Sequence, residues 1–301
     1  MTSALSVSQL VKTYQGLFGP KQQALRGLTL SIPTGAAFGL IGPNGAGKTT
    51  FIKVLLGVVR ATSGDVTVLG GDPQDTAIRA RIGYLPERMH LPAALRGRDF
   101  LRSVSTLKGL SPSDVELGQL LERVGLRAGP QRVGTYSKGM RQRLGLAAAM
   151  LGKPELLILD EPTDGIDPVG RVDVRELLLE EKKRGATILL NSHLLAETER
   201  ICDRIGVLEH GQLRLEGTLD EVRRAASCWV VRFEGEVAAG DVEAAGFEKK
   251  EAGWSFEGDV SGLNDALDAV RARGLRVVAL TPQTRDLEDV LNDSLTSKET
   301  T

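Results

Sequence analysis

The sequence contains few cysteines and no long apolar segment. Cys202 and Cys228 are the only cysteines among 301 residues, too few for a disulfide framework or a metal cluster, so both are expected to be reduced thiols. No apolar run approaches the roughly 18 residues that a membrane-spanning helix requires. The most apolar stretches, residues 155–162 and 186–192, have the length of single strands. If the protein acts at a membrane, another protein must cross it.

A strong excess of one charge is also absent. Thirty-eight Lys and Arg residues are balanced by 39 Asp and Glu residues, which leaves a formal charge of −1. Bulk charge therefore gives no sign of a nucleic-acid partner, and none is expected. The N-terminus lacks a basic segment followed by an apolar run, so no signal peptide is predicted and the cytoplasm is the expected compartment. The histidines, His90, His193 and His210, are too scattered to suggest a metal site by themselves.

The order of strands and helices predicts one large α/β domain and one small α+β domain. Over residues 1–220, short apolar strands alternate with helical segments, which is typical of a mainly parallel sheet with helices on both faces. Two alternating strands at the N-terminus are expected to pair antiparallel, and residues 89–135 are predicted to form a helical insertion. Residues 227–301 are predicted to form the small accessory domain, ending in a helix over 285–301 that frays into polar residues.

The stretch "GPNGAGKTT" carries the strongest chemical signal. It matches G-x-x-x-x-G-K-[ST] and lies between an apolar strand and a helix, as a phosphate-binding loop must. Its glycines allow backbone N–H groups to surround a phosphate, Lys48 reaches the β- and γ-phosphates, and the Thr49 hydroxyl binds Mg²⁺. A coincidental glycine-rich turn is the alternative, but it requires both motif and context to be accidental. The predicted ATP-binding residues of this loop are Gly42, Pro43, Asn44, Gly45, Ala46, Gly47, Lys48, Thr49 and Thr50.

A pair of acids follows the apolar strand in "LLILDEP". The carboxyl end of a strand in a parallel sheet opens toward the phosphate site, so Asp160 is predicted to hold Mg²⁺. Glu161, one residue further, is predicted to orient or deprotonate the attacking water. Without the phosphate loop, both acids would read equally well as solvated residues in a turn closed by Pro162.

The segment "YSKGM", at 136–140, is a second loop that runs into a helix. By itself it favours a simple helix N-cap at Ser137. The phosphate loop, "YSKGM" and "ILDEP", in this order, resemble the nucleotide-binding subunit of ATP-binding cassette (ABC) transporters over about residues 5–216. The resemblance implies that "YSKGM" is the signature loop, Leu-Ser-Gly-Gly-Gln in the family, which covers the ATP of a second cassette packed head to tail. Ser137 and the Gly139 N–H are then the phosphate donors, while Lys138 and Met140 depart from the family pattern.

Four further roles are implied by the same resemblance. Tyr14 matches the aromatic residue that stacks on adenine, although an edge-strand aromatic is an equally good interpretation of the sequence alone. Asp167, in "DGIDP", matches the loop that crosses the dimer interface. His193 matches the catalytic histidine that senses the γ-phosphate; by sequence alone, a histidine after a strand is usually capping or solvated. Glu87 replaces a glutamine that contacts the Mg²⁺ shell, and it is a possible metal ligand.

The implied function is ATP hydrolysis that drives transport. Glu87 and "YSKGM" together resemble the type-2 exporter branch, which serves drug, lipid, polysaccharide or antibiotic efflux and some copper-processing systems. The implied partners are a polytopic transmembrane permease and a second copy or a homologous ATPase, with ATP and Mg²⁺ as cofactors, at the cytoplasmic face of the membrane. In this family the permease recognises the cargo, so the sequence does not identify it.

Two other functions are compatible with parts of the sequence. A soluble cassette ATPase acting on ribosomes or DNA is disfavoured by the single phosphate loop, the short insertion, the two cysteines and the balanced charge. A metabolite kinase with a phosphate loop leaves "YSKGM" and "DGIDP" unexplained. The C-terminal domain shows no cluster of site-like residues; Trp229 and Trp254 are expected in its core, and its expected role is to assist dimerisation or regulation.

Overall fold

The computed structural model of the protein describes residues 2–15, 21–127, 129–192, 194–225, 228–234, 237–250, 253–258 and 260–283. The chain divides into two compact units, Met1–Glu216 and Gly217–Thr301. The large domain was predicted to end at residue 220 and the small one to begin at residue 227, so the boundary between the units lies slightly earlier than predicted. Two predicted features, His193 and the helix over 285–301, lie outside the described residues.

The first unit contains the predicted α/β pattern. Its strands are β1 (Ser3–Tyr14), β2 (Gln22–Pro33), β3 (Ala37–Ile41), β4 (Ser63–Val68), β5 (Ile82–Leu85), β6 (Leu156–Asp160), β7 (Thr187–Asn191), β8 (Arg204–Glu209) and β9 (Gln212–Thr218). Its helices are α1 (Lys48–Leu55), α2 (Thr76–Ala80), α3 (Gly97–Leu107), α4 (Asp114–Arg123), α5 (Lys138–Met150), α6 (Pro168–Lys183) and α7 (Leu195–Ile201), with a 3₁₀ turn at Val133–Thr135.

A six-stranded sheet forms the centre of this unit, in the order β5-β6-β7-β3-β8-β9. The pairs β5/β6, β6/β7, β7/β3 and β3/β8 are parallel, and β9 returns from β8 across a two-residue turn. All five residues of each of β3, β6 and β7 are buried, which explains why these strands read as continuous apolar runs. The predicted mainly parallel sheet is confirmed, and the carboxyl ends of β3, β6 and β7 meet at one edge.

A separate three-stranded sheet, in the order β2-β1-β4, is antiparallel throughout, as predicted for the N-terminal strands. Its buried face supplies Leu10 and Leu30 to the same apolar cluster as Phe38 of β3 and Phe51 of α1. Helix α1 buries one face only, with Phe51, Ile52, Val54 and Leu55 turned inward. The N-terminal sheet and the phosphate-loop helix therefore share one core with the central sheet.

The helical insertion predicted at residues 89–135 contains α3 and α4. Helix α4 begins with a capping box, in which Ser113 accepts from the Glu116 N–H while Glu116 accepts from the Ser113 N–H. At the end of α3, the Lys108 Nζ donates to the carbonyls of Ile82 and Leu151, each at 3.3 Å. Burial lowers the pKa of this lysine. Lys108 thus ties the insertion to β5 and to the end of α5.

The second unit has its own small core. It comprises helices α8 (Leu219–Ala225), α9 (Ala239–Glu243) and α10 (Val260–Ala272) and strands β10 (Cys228–Phe233), β11 (Glu248–Lys250), β12 (Gly253–Glu257) and β13 (Val277–Gln283). The strands form an antiparallel sheet in the order β11-β12-β10-β13. Trp254 is buried with Phe247, Val231 and Leu267, and Trp229 packs partly buried against them. Both tryptophans therefore serve packing, as expected from the sequence.

Candidate functional site

The phosphate loop connects the end of β3 to the start of α1. Gly45 and Gly47 have φ angles of 82° and 109°, in the left-handed region that favours glycine. A Cβ at Gly47 would lie 2.6 Å from the Ala24 carbonyl oxygen, so this position excludes any side chain. Gly47 is also the N-cap of α1 and offers no side-chain acceptor. The N–H groups of the first helical turn are therefore not capped by a side chain, which is the arrangement that binds phosphate.

Lys48 folds back over this loop. Its Nζ donates to the carbonyl oxygens of Gly42, at 2.5 Å, and Pro43, at 3.0 Å. Burial lowers the pKa of Lys48, whereas the charges of Glu161 and Asp160 act in the opposite direction. The ammonium group therefore lies near both the loop backbone and the acids at the end of β6, where it can bind phosphate oxygens.

A cleft of about 1170 Å³ opens at this edge of the sheet. Apart from Pro43, every residue of the predicted phosphate loop lines it, together with Tyr14, Glu87 and Glu161. Lys21 and Arg26 also line the cleft, although the sequence pattern did not single them out. A cleft of this size with a cationic wall is suited to a nucleotide carrying several phosphates.

Asp160 is the last residue of β6 and is only 2% exposed. Its Oδ1 accepts a short hydrogen bond from the Asn191 Nδ2, at the end of the neighbouring strand β7. Burial is the main reason that the pKa of Asp160 is raised, and the negative charges of Glu87 and Glu161 act in the same direction. A carboxylate held in this way is stabilised by a cation.

The oxygen atoms near the phosphate loop are too few to hold a metal ion by themselves, but they suit Mg²⁺ bound together with a nucleotide. In the ranges that the structure describes, no group of three or more His, Cys, Asp or Glu side chains could hold a metal ion. The available oxygens are the Asp160 carboxylate, the Thr49 hydroxyl in the first turn of α1 and the exposed Glu87 carboxylate after β5. Mg²⁺ commonly combines one or two protein oxygens with substrate phosphates and water, so these residues fit it.

Glu161 has an unusual backbone conformation. Its φ of 52° is left-handed, which is costly for a residue with a side chain. Its N–H donates to the Asn191 carbonyl at 2.8 Å, and its own carbonyl accepts from the Gln142 Nε2 at 2.7 Å and from the Asp164 N–H at 3.1 Å. The Ser192 hydroxyl donates to the Glu161 Oε2 at 3.4 Å. These contacts hold the catalytic candidate at the edge of the cleft.

Gln142, Asn191 and Ser192 are contacts that the sequence analysis missed. Asn191 and Ser192 had a readable signal, because they are polar residues directly at the carboxyl end of the apolar strand β7. Gln142 had none, since its amide lies on a helix 19 residues before Glu161 in the chain.

The "YSKGM" segment and the "DGIDP" loop both form helix N-caps in the structure. Ser137 caps α5 by accepting from the Met140 N–H at 3.2 Å, and Asp167 caps α6 by accepting from the Gly170 N–H at 2.7 Å. Capping uses the Ser137 oxygen as an acceptor, so its hydroxyl proton remains available for donation. Gly139 lies in the first turn of α5. None of Ser137, Gly139 and Asp167 lines the cleft of its own chain.

The remaining predicted residues differ in their exposure. Tyr14, 38% exposed, lies at the end of β1 with the Lys12 Nζ 5.0 Å from its ring centroid. The Glu87 side chain is 53% exposed, with its Oε1 3.8 Å from the Arg88 Nε. Both side chains reach the cleft. His193 lies outside the described residues, so its predicted role is not placed geometrically.

These features define a class of protein. A glycine-rich loop between a parallel strand and a helix, with a buried acid at the end of a strand two places away in the same sheet, is the arrangement of a P-loop nucleoside triphosphatase. The antiparallel N-terminal sheet and the helical insertion before α5 are additions to that core.

Comparison of the sequence with known proteins identifies the family within this class. The sequence profile described as "ABC transporter" matches residues 25–164. An uncharacterised ABC transporter ATP-binding protein of Synechocystis sp. is 38% identical, over 88% of this chain and 77% of the relative. The daunorubicin/doxorubicin resistance ATP-binding protein DrrA of Streptomyces peucetius is 34% identical, over 92% of this chain and 84% of the relative.

Solved structures agree with the sequence comparison. The structure of an ATP-binding subunit of an ABC transporter superposes with a TM-score of 0.67 at 34% identity, covering 74% of this chain and 92% of that chain. A dimeric, post-hydrolysis ATP-binding cassette bound to ADP and Pi has the same fold, with a TM-score of 0.66 at 21% identity, covering 71% of this chain and 98% of that chain. The chain belongs to the family of ABC transporter ATP-binding proteins, and its activity is ATP hydrolysis. The resemblance inferred from the sequence is confirmed.

Proposed function

We propose that this protein is the ATPase of an exporter, in which two cassettes pack head to tail and a separate permease crosses the membrane. The proposal is supported by the positions of the motifs, because only some of them line the cleft. The phosphate loop and Glu161 share one cleft, whereas Ser137 and Gly139 lie outside it. Donors of this kind at a helix N-terminus are suited to a phosphate, and a second copy would bring one to them.

The residues around the cleft divide the chemistry among them. Lys48 and the N–H groups of the loop bind the β- and γ-phosphates, and Tyr14 stacks on the adenine. Asp160 and Thr49, with Glu87 nearby, would hold Mg²⁺, which neutralises charge on the phosphate oxygens.

Glu161 acts as the general base of the reaction. Its carboxylate accepts a proton from water as the water oxygen bonds to the γ-phosphorus and the bond to the bridging oxygen breaks, leaving ADP and phosphate. His193 retains its implied role at the γ-phosphate.

The direction of transport and the membrane partner are proposed from similarity to named relatives. DrrA is named as a drug-resistance protein, and the Glu87 and "YSKGM" features agree with an exporter. In the described ranges, no helix is long and apolar enough to cross a membrane. The helical insertion with α3 and α4 passes the closing motion to the permease at the cytoplasmic face, and the permease selects the cargo. The C-terminal unit assists dimerisation or regulation.

The proposal is tested with Glu161→Gln. If Glu161 is the base, this variant binds ATP with unchanged affinity, loses turnover, and accumulates as a dimer when ATP is present, because ATP that binds the dimer preferentially shifts the equilibrium toward it. Size-exclusion chromatography with light scattering measures the dimer, and Lys48→Ala serves as the control that binds no ATP and stays monomeric. A Glu161→Gln variant that hydrolyses ATP at the wild-type rate contradicts the role of Glu161.

The partner is tested by affinity purification of tagged Glu161→Gln from gently solubilised native cells with ATP present. A co-purifying polytopic membrane protein supports the exporter. Ribosomal proteins or DNA without a membrane protein would refute it and favour the soluble alternative.

A further inference from the structure

We propose that the first turns of α5 position Glu161 of the same chain, with Gln142 and Lys138 as positioning residues. The inference rests on the proposed role of Glu161 as the base. Helix α5 starts at the signature loop, which is assigned to the nucleotide of a second copy. In the proposal, α5 also holds the turn formed by residues 161–165 of its own chain.

Gln142 makes the direct contact. Its side chain is 6% exposed, and its Nε2 donates to the Glu161 carbonyl at 2.7 Å. A left-handed residue with a side chain persists only where its surroundings determine its conformation. At Glu161 the Asn191 carbonyl binds the N–H, while Gln142 and the Asp164 N–H bind the carbonyl. Gln142 is the one side chain among these three contacts, so a substitution can remove it alone.

Lys138 makes the second contact, through Asp164. Lys138 and Gln142 are four residues apart on α5 and therefore project from the same face of the helix. The Lys138 Nζ lies 2.8 Å and 2.7 Å from the two carboxylate oxygens of Asp164. Asp164 in turn closes the turn by donating its N–H to the Glu161 carbonyl at 3.1 Å. The ion pair thus holds the turn at Asp164, and Gln142 holds it at Glu161.

The packing between these elements is close. At Gly165, where φ is 71°, a Cβ would lie 2.5 Å from the Lys138 Cδ, so the lysine stem lies directly over the turn. At Gly139 a Cβ would lie 2.9 Å from the Gly165 carbonyl oxygen. The backbone of the helix thus approaches the turn closely at Gly139, and the Lys138 stem covers the turn at Gly165. A shift of α5 is transmitted to the turn, and so to the Glu161 carboxylate.

This arrangement offers an alternative role for Lys138, the residue that departs from the family's signature pattern. If Lys138 acted on the nucleotide of a second copy, its effect would not depend on Asp164. If it acts through Asp164, removing either residue removes the same interaction. A double-mutant cycle separates the two possibilities, because coupled residues give non-additive effects.

The experiment measures kcat and KM for ATP and the melting temperature, using the full chain with its Mg²⁺-dependent ATPase. Gln142→Leu is expected to lower kcat by about tenfold or more, since small misplacements of catalytic groups are costly. Lys138→Met and Asp164→Asn are each expected to lower kcat by about two- to fivefold, the scale of an exposed ion pair. The double variant is expected to match either single variant. For Gln142→Leu and Lys138→Met, KM stays within about twofold of wild type, because neither residue lines the cleft. Asp164 does line it, so Asp164→Asn and the double variant are compared through kcat.

Two controls accompany the cycle. Lys138→Arg retains a cation that can reach Asp164 and is expected to recover wild-type kcat. Arg204→Met removes an unrelated ion pair, with Glu216 at 3.1 Å, and is expected to leave kcat unchanged. The Lys138 side chain is 68% exposed, so its variants fold even if the buried Gln142→Leu variant does not.

The inference is overturned if Gln142→Leu or Lys138→Met retains full kcat, or if the effects of Lys138→Met and Asp164→Asn add. Additive effects accompanied by a raised KM would assign Lys138 to the partner's nucleotide. Failure of the proposed function is recognised separately, since Glu161→Gln would then keep wild-type turnover. If Glu161→Gln is inactive while Gln142→Leu is fully active, only the positioning role is wrong.

Discussion

Two glycines of the phosphate loop allow the fold and the binding site to be perturbed separately. Gly45 and Gly47 both have left-handed φ angles, but their surroundings differ. A Cβ at Gly45 meets no atom within 4 Å, whereas one at Gly47 meets the Ala24 carbonyl oxygen at 2.6 Å and the Leu25 Cδ2 at 3.1 Å. Alanine at Gly45 therefore adds backbone strain alone. Alanine at Gly47 adds the same kind of strain together with a collision against the backbone of β2.

The expected magnitudes follow from these contacts. A left-handed conformation costs about 1–2 kcal/mol for a residue with a Cβ, so Gly45→Ala should lower the melting temperature of the nucleotide-free protein by about 3–6 °C. The collision at Gly47 adds an overpacking cost of about 1–3 kcal/mol, because a backbone carbonyl cannot move aside freely. Gly47→Ala should therefore lower the melting temperature by about 6–15 °C.

The two variants are also expected to differ in how much ATP raises their melting temperatures. Gly45 lines the cleft, so its added methyl group enters space that a phosphate would use. Wild-type protein should gain thermal stability with saturating ATP, and Gly45→Ala should lose most of that gain despite its milder effect on the fold. Differential scanning fluorimetry with and without ATP measures both effects. Equal melting temperatures of the two variants without nucleotide would refute the reasoning about Gly47.

Three more predictions concern other positions. Burial lowers the pKa of Lys108, so the unfolded chain binds more protons than the folded chain between that lowered pKa and the ordinary value of about 10.4. The free energy of unfolding of the wild-type protein, measured with urea, should therefore rise relative to that of Lys108→Met from pH 7.5 to pH 10. An unchanged difference between the two proteins over this range contradicts the prediction. Tyr14→Leu should raise the Kd for ATP by about tenfold, the scale of one base stacked on an aromatic ring, whereas Tyr14→Phe should leave it nearly unchanged; equal affinities in a titration would remove Tyr14 from the site. Glu87→Gln removes a negative charge near the phosphates, so this variant should bind metal-free ATP about two- to fivefold more tightly than wild type at low salt. The difference in affinity should shrink as salt is raised, and a difference independent of salt would contradict an electrostatic cause.

Much of the architecture was predictable because it depends on local patterns. Each buried strand of the central sheet appears in the sequence as a short apolar run, and α1 shows its one-sided apolar spacing. The short elements α2, α9 and β11, of three to five residues each, were not predicted. Elements of that length contain too few residues for a period to appear.

The candidate site was predictable in part for the same reason. The phosphate loop needs glycines at positions such as Gly45 and Gly47, where a side chain is strained or collides, so its chemistry is written within nine consecutive residues. The position of Asp160 at the carboxyl end of a buried strand could be predicted because that strand is a continuous apolar run. Its predicted role in holding Mg²⁺ stays a prediction. Neither conclusion requires knowledge of a distant contact.

The sequence by itself determined the class of protein, the phosphate loop and the position of the acids at the end of β6, since each depends on residues adjacent in the chain. Only the tertiary structure decided how these acids are held. Asn191 bonds Asp160 across 31 residues, Lys138 pairs with Asp164 across 26, and Gln142 holds Glu161 across 19. Such contacts depend on the order of strands in the sheet and on which face of α5 meets the turn. Side-chain packing sets both, and no local sequence period encodes them.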